Sequence, residues 1–171
     1  MSMTVIFSDF GDTDTQALAH LWENIPDVNL VHITRNTRNA YNKIKQALAV
    51  EKDTLLLCGH GTPGGLTSPS WDILVGENEL RYIRAKRVIG IWSYAAQFAE
   101  SVGLKGFFSS MFVSNGAEAK LASCPNSSAE AITREEILFC DRINKLLLEN
   151  IPLEKWRGLL LDQAGSSPLL P

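Results

Sequence analysis

Short apolar runs alternate along the chain with stretches whose apolar residues recur at helical spacing. The runs lie at residues 4–7 (TVIF), 28–33 (VNLVHI), 53–58 (DTLLLC) and 87–92 (RVIGIW). Apolar runs of roughly four to eight residues are typical of strands buried on both faces, and helices between them supply the crossovers that parallel strands need. The alternation therefore predicts an α/β protein in which helices cover both faces of a parallel sheet.

The connecting stretches complete this prediction. Helical spacing predicts helices at about 13–24, 37–50, 77–86, 95–102 and 127–150, and the apolar run at 106–114 predicts one more strand. The expected fold class is a three-layer α/β/α arrangement with a mainly parallel sheet of five or six strands. With 171 residues, the chain is expected to form a single domain over 1–171.

Composition excludes several classes of function. Hydrophobic residues make up 45% of the chain and charged residues 20%, which is typical of a globular protein. The net charge of −3 gives no basic surface, so no nucleic-acid partner is expected. The chain has no apolar run near the roughly 18 residues of a membrane span and no signal peptide at its start, so we expect no membrane partner and a cytoplasmic location.

The three cysteines, Cys58, Cys124 and Cys140, lack the paired spacing of zinc sites or disulfide frameworks. Free thiols, no metal and no cofactor are therefore expected. Cys58 precedes His60 by two residues on one strand, which makes it a second candidate nucleophile. A cysteine inside an apolar strand is more often a packing residue, and we interpret Cys58, like Cys140, as part of the core.

Polar segments follow four of the predicted strands. These segments are SDFGDTD (8–14), TRNTRN (34–39), GHGTPGG (59–65) and WSYAAQ (92–97). In open parallel sheets, ligands and chemistry gather beyond the carboxyl ends of the strands. The candidate site is therefore expected among these segments.

His60 stands at the end of the third predicted strand, between Gly59 and Gly61. The two glycines are expected to leave the backbone close to a bound ligand, and the Gly61 N–H has the character of an oxyanion donor. Gly-His-Gly alone is more often a simple turn in which the imidazole bonds a loop carbonyl. Ser93 ends the next strand, and neighbouring strands lie about 5 Å apart, so His60 and Ser93 are expected to form a pair of nucleophile and base.

The order strand, His-Gly, loop, strand and nucleophile is similar to the caspase-like cysteine peptidase group, which includes caspases, metacaspases, gingipains, separase and bacterial CHAT domains. The residues that carry this resemblance are LLLCGHG (55–61) and VIGIWSYAAQFAESVGLKGFFSSMFVSNGAEA (88–119). The resemblance covers residues 4 to about 119. It implies a cysteine endopeptidase that acts on a peptide or protein substrate, and it also makes an activating partner protein plausible, while the oligomeric state stays open.

The resemblance assigns roles to three residues. His60 matches the catalytic histidine, Gly61 matches the glycine whose N–H stabilises the oxyanion, and residue 93 matches the nucleophilic cysteine. Residue 93 is a serine here, and a serine hydroxyl needs a stronger, better aligned base than a thiol does. The chain is therefore expected to be poorly active or inactive as written.

Three interpretations of Ser93 stay open. Serine could replace the cysteine of an active peptidase that has been silenced by this substitution. The chain could instead be a natural pseudo-peptidase that works as a binding or regulatory module, or a serine-type variant of the enzyme.

Substrate recognition is also left open by the sequence. Asp9 resembles the pocket acid of caspase-like peptidases that cut after Arg or Lys, whereas Asp12 and its neighbours also serve as helix caps. Arg35 and Arg38 would instead suit an acidic residue. Trp71 is expected to line the substrate pocket, and Trp92 to lie beside or beneath the site.

Overall fold

The computed structural model describes residues 1–110 and 128–164. Its strands are β1 (Met3–Ser8), β2 (Val28–Ile33), β3 (Thr54–Cys58), β4 (Gly61–Thr62), β5 (Gly65–Thr67), β6 (Ile73–Val75), β7 (Arg87–Ile91) and β8 (Phe107–Phe108). Its α-helices are α1 (Thr13–Gln16), α2 (Ala40–Val50), α3 (Ala95–Val102), α4 (Ala129–Leu148) and α5 (Leu153–Ala164), with 3₁₀ helices at Ala17–Trp22 and Glu77–Tyr82. None of the helices in this part of the chain is long and apolar enough to cross a membrane.

The main sheet has five strands in the described residues, in the order β2-β1-β3-β7-β8, and all of them are parallel. The predicted α/β class with a parallel sheet is therefore confirmed. β1 and β3 lie at the centre of the order and are buried along their whole length, as their unbroken apolar runs predict.

Helices cover both faces of this sheet. On one face, the 3₁₀ helix Ala17–Trp22, α4 and α5 pack against β1, β3 and β7 through a core that includes Leu18, Leu21, Phe139, Ile143 and Trp156. On the other face, α2, α3 and the small sheet pack through Ile44, Leu48, Phe98, Leu66 and Val75. Alternate residues of each central strand enter the two cores, and this layering agrees with the predicted α/β/α arrangement.

Four parts of the structure differ from the sequence-based expectation. The helix predicted at 77–86 is a 3₁₀ helix limited to Glu77–Tyr82. The helix predicted at 13–24 is α-helical only over Thr13–Gln16 and continues as a 3₁₀ helix. The long loop after β3 forms a three-stranded antiparallel sheet, β4-β5-β6, whose strands of two or three residues are too short to give a periodic signal. Helix α5 was not predicted, and it buries Trp156 completely. The predicted strand at 106–114 is confirmed at Phe107–Phe108, and residues 111–114 lie outside the described part.

Candidate active site

The register of the central strands brings His60 and Ser93 to adjacent positions. Cys58 pairs with Ile91 in the β3–β7 ladder, and His60 and Ser93 each follow two residues later. The Gly59 N–H extends the pairing beyond the strand by donating to the Ile91 carbonyl at 3.3 Å. His60 and Ser93 are both half-buried.

A carboxylate from the first strand's loop holds the His60 ring. Asp12 Oδ2 lies 3.1 Å from His60 Nε2. The other oxygen of Asp12 caps α1, because it accepts from the Thr15 N–H at 2.9 Å and from the Thr15 hydroxyl at 2.7 Å. The sequence identified Asp12 only as a helix cap. In the structure one oxygen of Asp12 caps the helix and the other contacts His60.

These contacts set the charge of Asp12 and the proton position on His60. Partial burial opposes ionisation, but the hydrogen bonds from Thr15 and His60 outweigh it and lower the pKa of Asp12. An ionised carboxylate only accepts hydrogen bonds, so Nε2 of His60 must carry the proton that it donates. In the neutral ring, Nδ1 is then the atom with a free lone pair.

Asp9 belongs to a second histidine–carboxylate pair that is linked to the first. Its Oδ2 lies 2.8 Å from His32 Nε2, and its Oδ1 accepts from the Gly11 N–H at 2.8 Å. The buried Thr15 hydroxyl lies 3.2 Å from Asp9 and 2.7 Å from Asp12, so it joins the two carboxylates. Burial opposes ionisation of Asp9, and the bonds from His32, Gly11 and Thr15 outweigh it and lower its pKa.

Aromatic rings enclose one side of the imidazole. The Phe10 ring meets the His60 ring edge to face at a centroid distance of 4.6 Å, and Trp71 packs on Phe10 at 5.1 Å. Trp71 lies 6.2 Å from His60 and stays 59% exposed, so it forms an open wall beside the histidine. Phe10 was missed in the sequence, where its only signal was an aromatic residue inside an acidic turn.

The glycines around His60 serve internal packing. A Cβ on Gly59 would lie 2.7 Å from the Ser8 carbonyl oxygen, and one on Gly61 would lie 2.4 Å from Trp92 Cδ1. The expectation that these glycines open the backbone to a ligand is therefore wrong for their α-carbons, because protein atoms fill that space. Trp92 is fully buried and donates from Nε1 to the Thr62 carbonyl at 3.1 Å, so it supports β4 from beneath.

The Gly61 amide is oriented differently from its α-carbon. Gly61 pairs with Leu66 in the β4–β5 ladder, and the Thr67 N–H donates to the His60 carbonyl at 3.1 Å. Because His60 and Thr67 are hydrogen-bonded, the next pair, Gly61 and Leu66, is a non-hydrogen-bonded pair. In such a pair the N–H of each residue points away from the other strand. The Gly61 N–H therefore takes no part in the β4–β5 ladder.

We predict that Gly59→Ala lowers the free energy of unfolding by about 1–3 kcal/mol more than Gly103→Ala does. Both glycines have positive φ angles, +146° and +71°, but a Cβ on Gly103 would meet nothing within 4 Å. The control carries only the milder strain of the left-handed helical region, whereas Gly59→Ala adds both a φ that suits glycine alone and the clash against Ser8. Urea unfolding of both variants measures the difference, and equal losses would contradict the close approach of β1 and β3 at Gly59.

Ser93 lies in a turn whose backbone is unusual. Tyr94 has a φ of +75°, and Trp71 has +65°; all other non-glycine residues with positive φ in residues 1–110 and 128–164 are Asn or Asp. Asn and Asp tolerate this region, whereas bulky side chains enter it at a cost and mostly near functional sites. Both strained aromatic residues flank the candidate site. The segment that follows β8 holds this turn, since the Tyr94 N–H donates to the Ser110 carbonyl at 3.0 Å.

Two of the cysteines are core residues, as expected. Cys58 and Cys140 are free, fully buried thiols. Burial raises the pKa of both, so neither thiol ionises near neutral pH. Cys58 therefore lacks the exposure and the thiolate character of a nucleophile. Cys124 lies outside the described residues.

Two carboxylates and His60 form one cluster near the site, whereas the arginines proposed to bind an acidic residue lie elsewhere. Asp12, Asp14 and His60 each offer one ligand atom within 4.8 Å of the others, a spacing that suits a small cation, although Asp12 and His60 already bond each other. Arg35 and Arg38 are exposed after β2, and β1 separates that strand from β3. The described contacts do not bring these arginines to His60.

We compared the chain with known proteins in three ways. A scan against protein-family models, a search of curated proteins and a search of solved structures each found no match.

Proposed function

We propose that this chain is a caspase-like endopeptidase domain in which residue 93 is the nucleophile and His60 transfers the proton. The observation that carries the proposal is the register of β3 and β7, which sets His60 and Ser93 at matching positions beyond two adjacent central strands. Carboxyl ends of parallel strands are where such sheets hold their chemistry. The resemblance of the two strand ends to caspase-like peptidases supplies the reaction class.

The proposed reaction is acyl transfer from a peptide bond to water. The Ser93 hydroxyl oxygen attacks the carbonyl carbon of the substrate while His60 Nδ1 takes the hydroxyl proton. The histidine then gives this proton to the leaving amine as the C–N bond breaks, which leaves an ester on Ser93. Water attacks the ester, and His60 again receives and returns the proton, so that the free acid and the Ser93 hydroxyl are regenerated.

Two further groups support this mechanism. Asp12 fixes the His60 tautomer through the 3.1 Å contact and stabilises the ring when it carries two protons. The Asp12 carboxylate would be the third member of a catalytic triad. A serine nucleophile needs this member, and the caspase-like pattern does not supply it. The Gly61 N–H, which the β4–β5 ladder leaves unused, is the proposed oxyanion donor together with the N–H of Ser93.

Substrate contacts in this proposal come from the exposed wall beside His60. Trp71 offers its indole next to the histidine, and Phe10 packs against both rings. Asp9 is the proposed acid for a basic P1 residue, and its bond to His32 reduces the charge that it can offer when that histidine is protonated. Peptides with basic and with acidic P1 residues are therefore both needed to identify the specificity.

Covalent labelling tests the proposal on the chain as it stands. A fluorophosphonate should attach to Ser93 slowly, and reporters with Arg, Lys or Asp at P1 should be cleaved slowly, with both reactions lost in His60→Ala and Ser93→Ala. Peptide mapping by mass spectrometry identifies the labelled residue. Labelling that persists in Ser93→Ala, or that is unaffected in His60→Ala, contradicts the assigned roles.

The second candidate is a natural pseudo-peptidase that binds peptides without cutting them. The observation that favours it is the serine itself, at the position where caspase-like enzymes carry a thiol. Such a module would retain peptides beside Trp71, and Trp71→Ala would weaken this binding, while no variant at position 93 would cleave. Binding without cleavage by any variant at position 93 selects this alternative.

A further inference from the structure

The outer edge of β2 presents backbone groups that the main sheet does not use. β2 is an edge strand paired only with β1 among the described residues. The Asp9 N–H donates to the Ile33 carbonyl at 2.8 Å, which fixes the phase of the parallel ladder. Backbone groups of Ile33 and of every second residue before it point to β1, so those of Val28, Leu30 and His32 point outward.

This edge forms one wall of an open groove of about 530 Å³. The groove is lined by Asn29, Leu30, Val31, His32, Lys43, Gln46, Ala47 and Val50. The four lining residues from α2 recur at intervals of three and four, so they occupy one face of that helix. On the α2 wall Val50 is 73% exposed, and on the β2 wall the half-buried Val31 shares the face that α2 covers, so apolar side chains line both walls.

A strand edge beside a helix wall is suited to an extended peptide. A peptide that adds to β2 bonds its main chain to the outward groups and packs alternate side chains on the helix. Natural proteins usually block such edges with charged residues, proline or a bulge within the strand. The sequence VNLVHI of β2 carries no Lys, Arg, Asp, Glu or Pro, and its register with β1 is unbroken.

The charges at the groove select the kind of peptide. Lys43 lines it, no carboxylate is among its lining residues, and Arg35 and Arg38 stand exposed directly after β2. The His32 imidazole bonds Asp9. If a second copy paired through the same edge, Lys43 of each copy would face the other's basic groove, which disfavours self-association.

We propose that the groove between β2 and α2 binds an extended acidic segment of a partner protein by adding it as a strand to β2. The affinity comes from main-chain bonds to Val28, Leu30 and His32 and from apolar contacts with Val50. The preference for acidic side chains comes from Lys43. This site lies on the far side of β1 from His60, and the proposal does not depend on a peptidase activity.

Fluorescence anisotropy tests the proposal with a labelled peptide of the repeat Val-Thr-Glu-Thr (the Val–Glu peptide), in which Val and Glu share the face that meets α2. The full chain should bind this peptide, and Lys43→Glu should weaken binding about tenfold, while Lys155→Glu, an exposed substitution on α5, should leave it unchanged. The same peptide with Lys in place of Glu should bind the wild type more weakly and Lys43→Glu more tightly. N-methylation of every residue of the Val–Glu peptide should abolish binding, because it removes the N–H donors on both edges of the peptide strand.

Three results would overturn the proposal. Equal affinity for the methylated peptide would show that no strand is added, and equal affinity of Lys43→Glu and Lys155→Glu would show that the groove is not the site. Light scattering supplies the third. The N–H of Leu30 points outward, so Leu30→Pro removes one donor of the β2 edge. A dimer that forms with rising concentration and is lost in this variant would assign the edge to a second copy instead.

Discussion

Ser93→Cys is expected to raise the hydrolysis of peptide reporters at least about a hundredfold over the wild type. A free thiol ionises near pH 8.5, so a useful fraction is already thiolate at neutral pH, whereas a serine hydroxyl must lose its proton during the attack. His60 is then required only to protonate the leaving amine. The kcat/KM for reporters with Arg, Lys and Asp at P1 measures the gain, and the P1 residue that gains most identifies the specificity.

The chain offers clean controls for this gain. Iodoacetamide should abolish the new activity, and it should not reach Cys58 or Cys140, because both are buried and burial raises the pKa of each thiol. A Cys124→Ser background removes the third thiol. Ser93→Ala and the double variant Ser93→Cys with His60→Ala should both stay inactive. If Ser93→Cys gains nothing with any P1 residue, the peptidase proposal fails and the binding module is favoured.

The sheet and its carboxyl edge were predictable because they follow from local patterns. Each central strand is an apolar run of fixed length, and the residues after it must lie at the same edge when the strands are parallel. This reasoning selected His60 and Ser93 without coordinates, and the register pairs Cys58 with Ile91, two residues before each of them; their pairing as nucleophile and base stays a prediction. The same local logic failed for β4-β5-β6, because strands this short leave no period to detect.

Contacts between distant segments could not be predicted in this way. Asp12 and His60 are 48 positions apart, and a helix-capping aspartate gives the same sequence signal whether or not its second oxygen meets a histidine. The role of Thr15 in joining two carboxylates has no sequence signal at all. The glycines beside His60 have a clear signal but an ambiguous cause, since close approach to protein and close approach to ligand both require them.

The Asp12–His60 contact leads to the second large expected effect. Asp12→Asn should slow fluorophosphonate labelling of Ser93 by about a hundredfold or more, because the amide no longer fixes the histidine tautomer or balances the charge of the protonated ring. Asparagine still caps a helix, so α1 should be retained. Asp27→Asn is the matched control: Asp27 is exposed before β2 with a φ of +57°, which asparagine also tolerates.

The pH dependence of stability separates the charge of Asp12 from its shape. Because the pKa of Asp12 is lowered in the folded chain, its carboxylate stabilises the fold at pH values above the ordinary carboxyl pKa of 3.8. That contribution is lost as the pH falls from there through the lowered folded value. The difference in urea midpoint between the wild type and Asp12→Asn should therefore be full at pH 6 and shrink towards pH 3. If labelling of Ser93 is unchanged while this midpoint difference is present, Asp12 supports only the fold, and the proposed third member of the site is wrong.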